Sequence, residues 1–219
     1  MGIRIHAIFA LWPCEKIPLS KVTHINKLDT PFEDCKQSVE LVLVDPFGRK
    51  KEKTILGVVE AEKVYEKLEA GESINLDHRY VIDFSLDAYR AYAGLSLEDH
   101  VELKDFSANG AYFETENGTN FRLANFIGSH AQFSNCVFGD GPLTFYHAKF
   151  EVDKADFQNC RMGSGDANFQ YAEFMTQSTN FDGIHFDTGA VQFISSKFGK
   201  SKVSFRGANF GEGIVDFHY

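Results

Sequence analysis

Histidine, cysteine and serine are the side chains through which this chain could hold a metal or form a covalent intermediate, and their spacing supports neither. The eight histidines stand at positions 6, 24, 78, 100, 130, 147, 185 and 218, with no i, i+4 pair and no partner motif at metal-ligand spacing. Cys14, Cys35, Cys136 and Cys160 form no Cys-x-x-Cys pair, and four cysteines in 219 residues make no disulfide framework. Reduced thiols are expected, with Cys136 and Cys160 at inward positions where a thiol is inert. No Gly-x-Ser-x-Gly occurs, and Gly163-Ser164-Gly165 reads as a turn rather than a phosphate loop. These residues predict no catalytic, cofactor-binding or metal-binding site, and a protein that is not an enzyme.

The elements that would position any site are set by phenylalanine. The chain holds 22 Phe against 8 Tyr and 1 Trp. From Phe121 to Phe217 the Phe spacing alternates between five and seven residues, with Met162 filling the vacancy between Phe157 and Phe169. Steps of five residues at about 100° each carry a side chain off its starting helical face, so the pattern is not helical. Two residues before all but one of these aromatics stands a small or β-branched residue, as at Ala124, Ala131, Cys136, Ala148 and Ala155, with Leu143 before Phe145 the exception. Positions i and i−2 share one face of a strand, so a large and a small side chain point inward together while the intervening residue points out. Gly141, Gly165, Gly189 and Gly213 recur every 24 residues, with other residue types midway, which predicts a four-faced coil of 24 rather than a flat one of 12.

Ala155-Asp156-Phe157-Gln158-Asn159, Ala167-Asn168-Phe169-Gln170-Tyr171 and Ala124-Asn125-Phe126 resemble the pentapeptide-repeat family, whose pattern is Ala, Asp or Asn, Leu or Phe, then two variable residues. The resemblance implies a mainly β fold, a right-handed four-sided parallel β-helix. It runs unit by unit over 119–219 and less regularly back to about residue 73. Two residues are added after every second pentapeptide, which implies wider corners than the family's usual ones.

Upstream, Ile74/Leu76 and Ile82/Phe84/Leu86 alternate as first rungs, and Asp87–Gly94 reads as a short helical excursion. Val64, Tyr65 and Leu68 lie at helical spacing before Gly71. The expected organisation is a small β-rich N-terminal domain over 1–58, a capping helix over 59–72 and the β-helix over 73–219. Within the first of these, Ile3–Leu11 is a strand candidate and Asp45–Arg49 a turn.

The longest apolar stretch, Ile5 to Trp12, falls short of the ~20 residues of a membrane-spanning helix and makes a poor signal peptide, so a cytoplasmic protein with no membrane partner is expected. A net charge of −9 disfavours direct binding of nucleic acid. What remains is surface. Leu123, Ile127, Tyr146, His147, Val152, Tyr171, Met175 and Ile194 fall on outward positions of two adjoining faces and predict a protein-binding stripe. The repeat runs unbroken to Val215, Phe217 and Tyr219, which predicts a homodimer formed through that coil.

Two functions follow as expectations. One is a non-catalytic scaffold that binds another protein. The other is a DNA-mimicking inhibitor or protector of a type II topoisomerase such as gyrase, as some pentapeptide-repeat proteins are. The mimic needs dense negative charge along the rod. Residues 119–219 hold 8 Lys/Arg and 10 Asp/Glu, whereas residues 1–118 hold 14 and 21, so the charge distribution favours the scaffold.

Overall fold

Inward Phe and small residues alternating with outward polar ones produce short strands, and stacking decides their register. The structure, a computed structural model, describes residues 21–44, 51–114 and 117–218. Over these residues it is mainly β with two helices. In chain order the first elements are β1 (Lys21–Leu28), β2 (Ser38–Val44), β3 (Lys51–Glu60), α1 (Ala61–Glu69), β4 (Ser73–Asn75), β5 (Arg79–Ile82), α2 (Leu86–Ala93) and β6 (Val101–Ser107). The strand expected over Ile3–Leu11 and the turn at Asp45–Arg49 lie outside the described residues.

β1, β2 and β3 form an antiparallel meander, and β3 then pairs in parallel with β5. The meander and the stack therefore share one six-stranded sheet. Pairing of Glu60 with Ile82 keeps residues 59 and 60 extended, so α1 starts at Ala61 rather than at 59. Its buried face, Ala61, Val64 and Tyr65, joins the same apolar core as Ile74, Leu76 and Phe84, and the Tyr65 hydroxyl donates to the Ser85 carbonyl at 2.8 Å. Leu86 opens α2 instead of continuing a strand, because the Ser85 side chain accepts the Ala88 N–H and caps the helix. Gly94, at φ 68°, ends it. A smaller cluster of Val39, Leu41, Leu56 and Tyr80 lies on the other face of the sheet from Val81 and the main core.

From residue 119 the chain pairs with itself in four parallel ladders, each repeating at 24 residues. One joins Thr119, Leu143, Ala167, Val191 and Val215. The next joins Asn125, Lys149, Glu173 and Lys197. A third joins Ala131, Ala155, Thr179 and Val203, and the fourth joins Val137, Arg161, His185 and Asn209. We name them the Phe121, Phe126, Phe133 and Phe138 ladders after the ring each carries first in the repeat.

Within three of the ladders the rings lie directly over one another, whereas Met162 interrupts the Phe138 column. In the Phe121 ladder, Phe121, Phe145, Phe169, Phe193 and Phe217 stack at 4.9, 5.0, 4.8 and 5.0 Å with planes within 9°. The Phe126 column stacks at 4.6, 4.6 and 5.0 Å, and the Phe133 column at 4.8, 4.9 and 4.7 Å. Rings of the Phe133 column meet those of the Phe121 and Phe126 columns edge to face, as Phe157 and Phe145 do at 5.6 Å and 89°. Both arrangements suit the ring quadrupole. The rung spacing of a parallel sheet, about 4.8 Å, is also a comfortable ring-stacking distance, so the backbone and the core impose one repeat.

The residue before each of Phe121, Phe157, Phe169 and Phe181 fastens the turn that follows. The side chains of Asn120, Asp156, Asn168 and Asn180 accept the N–H two residues onward at 2.8–3.0 Å. This is why Asn and Asp, whose short side chains close such turns, occupy that position. The glycines spaced by 24 have a different cause. A Cβ on Gly165, Gly189 or Gly213 would overlap the carbonyl of the preceding glycine in the series, and none of the three needs a positive φ. The rungs approach too closely there for any side chain.

Phe169 is fully buried between Phe145 and Phe193. Phe169→Ala is expected to destabilise by about 3–5 kcal/mol in chemical denaturation, since the rungs above and below are held apart by their own hydrogen bonds and cannot close the cavity.

Candidate interaction surface

The corner that joins the Phe121 ladder to the Phe126 ladder is where the predicted stripe begins. The chain reverses there over two residues, closed by Ala148 N–H to Phe145 O at 2.9 Å and Ala172 N–H to Phe169 O at 3.1 Å. The second residue of each reversal has positive φ: Leu123 at 53°, His147 at 53°, Tyr171 at 57° and Ser195 at 54°. The equivalent sites after the Phe133 ladder are Asn135, Asn159, Gly183 and Gly207, which tolerate that backbone. For other residues it costs about 1–2 kcal/mol each. One corner thus uses the residues the backbone prefers, and the other holds Leu, His and Tyr against that preference.

Three of the predicted residues come together at the strained corner. His147 and Tyr171 stack at 4.7 Å with planes 9° apart, and Tyr146 meets both edge-on, at 4.5 and 5.7 Å. His147 and Tyr171 are exposed, and Tyr146 is half-buried. Met175, 58% exposed, stands on the adjoining Phe126 ladder, and Ile127 and Ile194 are half-buried. Beside them Glu173 pairs with Lys197 at 2.7 Å. That hydrogen bond, more than Lys149 and His147, holds the Glu173 carboxyl below the ordinary range.

Two predicted stripe residues are not on the surface. Val152 is buried because the added residues extend the strand instead of widening a turn: Lys149–Asp156 is continuous, and Phe150 and Val152 alternate onto its inner face. Leu123 is buried because the segment after α2 lies over its corner. The Arg90 guanidinium donates to the Arg122 and Leu123 carbonyls at 2.8 and 3.3 Å, Val101 N–H donates to Leu123 O at 3.1 Å, and Arg122 donates to Leu97 O at 2.6 Å. Of the residues predicted for dimerisation, Val215 and Phe217 are 37% and 46% exposed. Tyr219 lies outside the described residues.

The run Asp87–Gly94 identifies the α2 excursion but does not place it on this corner. The pairing does: Ser85 bridges to Asn120 and Val101 pairs with Ala124, so the insertion leaves and rejoins the stack on the two sides of this turn. It brings His100, an exposed residue, into electrostatic reach of Lys149, Arg90 and His147; partial desolvation first, and then these three groups, lower its pKa from the ordinary 6.5. Between the excursion, the end of α1 and β6 lies a cleft of about 210 Å³, whose lining includes Leu68, Tyr89, Leu95, Val101 and Ile127.

Among the described residues no group of three or more His, Cys, Asp or Glu is placed to hold a metal ion. No helix among them is long and apolar enough to cross a membrane. No protein-family model, curated protein or solved structure matches the chain.

His185, half-buried on the Phe138 ladder with Nδ1 unbonded, also has its pKa lowered, by burial and then by Arg161. Since both folded-state values lie below 6.5, the unfolded chain binds more protons as the pH falls, and stability is lost below about pH 6.5. The melting temperature is expected to drop from about pH 7.5 to about pH 5.5, and His185→Gln to flatten that drop.

Proposed function

We propose that the chain is a non-catalytic interaction scaffold built on a right-handed, four-sided parallel β-helix of the pentapeptide-repeat type, and that it binds another protein through the corner of Tyr146, His147 and Tyr171. The observation that carries this reading is the placement of His147 and Tyr171 at positive φ, stacked on one another and open to solvent. A stack built only for strength would place Asn or Gly there, as the corner after the Phe133 ladder does. Met175 and Ile194 extend the apolar surface, and exposed aromatic side chains on a rigid frame are characteristic anchors of protein interfaces. A cytoplasmic location belongs to the same proposal, supported by the unpaired thiols of Cys35, Cys136 and Cys160.

Self-association is its second part. Val215 and Phe217 are exposed on the last rung described, and a second copy presenting the same rung would cover them. Sedimentation equilibrium is expected to show a mass that rises with concentration toward the dimer; a constant monomer mass removes this part.

Tyr146→Ser combined with Tyr171→Asn is expected to leave stability within about 1 kcal/mol of wild type, because Asn accepts the positive φ. The same variant is expected to lose the partner recovered by the wild type. A photo-crosslinking residue at position 171 should trap that partner while one at position 159 does not. Equal trapping at both positions would reject the corner as the binding surface.

A further inference from the structure

The cleft beside α2 lies in the most acidic part of the molecule. Residues 60–105 contain 12 Asp/Glu and 5 Lys/Arg, a net of −7 out of the chain's −9. Three of those five bases are already paired. Arg90 is buried on Asp87 and on backbone carbonyls. Arg79 pairs with Glu33 and Asp34, and Lys63 with Glu66. Glu72 and Glu102 line the cleft, with Lys104 and His100 also on its wall, and Glu69 lies close enough to Tyr89 to act on its hydroxyl.

The same region exposes apolar surface. Tyr92, Leu95 and Leu97 are 54%, 41% and 56% exposed, and Leu95 forms part of the cleft wall. A volume of about 210 Å³ is below the roughly 300 Å³ at which pockets for whole small molecules begin, and it suits an inserted side chain. A notch lined by Leu68, Leu95, Val101 and Ile127, with Glu72 and Glu102 on its wall and a net charge of −7 over 60–105, matches a segment that carries an apolar face and positive charge, and disfavours an acidic one.

We propose that this cleft is the docking site for a basic amphipathic segment of another protein. One apolar side chain of that segment enters between Leu68 and Leu95, and flanking Lys or Arg groups meet Glu69, Glu72 and Glu102. The site is distinct from the Tyr146–Tyr171 corner, and either can fail without the other.

The test is fluorescence anisotropy with the full chain and a labelled short peptide of Leu and Lys at helical spacing, beside a twin with Glu in place of Lys. The Lys peptide is expected to bind in a salt-sensitive manner and the Glu twin not to bind. Leu95→Asp, a change at an exposed position, and the pair Glu72→Lys with Glu102→Lys should each weaken binding at least tenfold, whereas Tyr146→Ser with Tyr171→Asn should leave it unchanged. Circular dichroism of each variant confirms that the stack is intact. Sensitivity to the Glu changes without sensitivity to Leu95→Asp would mean diffuse charge attraction and overturn the cleft as the site. Binding of the Glu twin, or no binding of the Lys peptide at high micromolar concentration, would overturn it as well.

Discussion

The coincidence of two repeats, hydrogen-bonded rungs and stacked rings, is the constraint on which the rest of the molecule depends. Parallel pairing at 24 residues sets each Phe over its counterpart at 4.6–5.0 Å in the Phe121, Phe126 and Phe133 columns. A shift of one residue in any ladder would move a ring from inside to outside and a polar residue from outside to inside. The register is therefore specified by the core and the backbone together. The Phe138 column is the exception, since Met162 takes the place of a ring and Cys136 and Cys160 stand beside it, each thiol donating to a buried backbone carbonyl at 2.7 Å.

Such a stack leaves its corners as the places where the residue type can vary. The rungs already determine the backbone path, so a side chain at positive φ is tolerated where it would not persist in a free loop. This lets one corner carry Tyr146, His147 and Tyr171 as a fixed aromatic cluster while another carries an amide ladder, in which Asn135 donates to Asn109 at 3.1 Å and Asn159 donates to Asn135 at 3.3 Å. Rigid display of unlike corners is a physical basis for the proposed scaffold role: little side-chain freedom would be left to lose if a partner docked.

The irregular start of the stack differs in character. Its first rungs are continuous with an antiparallel meander, α1 lies on the apolar core, and the α2 insertion folds down over Leu123. Most of the chain's net negative charge gathers there, away from the regular repeat. Charge and aromatic surface thus occupy separate regions joined along one edge by His100 and Ile127.

The spacing of Phe and of the small residues before it was enough to determine the period and the inward placement of the rings, because strand alternation is a property of the covalent backbone and needs no knowledge of neighbours. The α2 helix was legible from the run Asp87–Gly94 and its closing glycine, which are local signals too. Tertiary structure alone decided the rest. Whether the two added residues turn or continue the strand depends on the pairing of Val152 with Gly128 in the next rung, and whether Leu123 meets water depends on an insertion returning from a different coil. Even the glycines, visible as a repeat, owe their identity to a carbonyl 24 residues earlier. A sequence states which faces a residue may share; the distance between successive rungs decides which of those faces are left open.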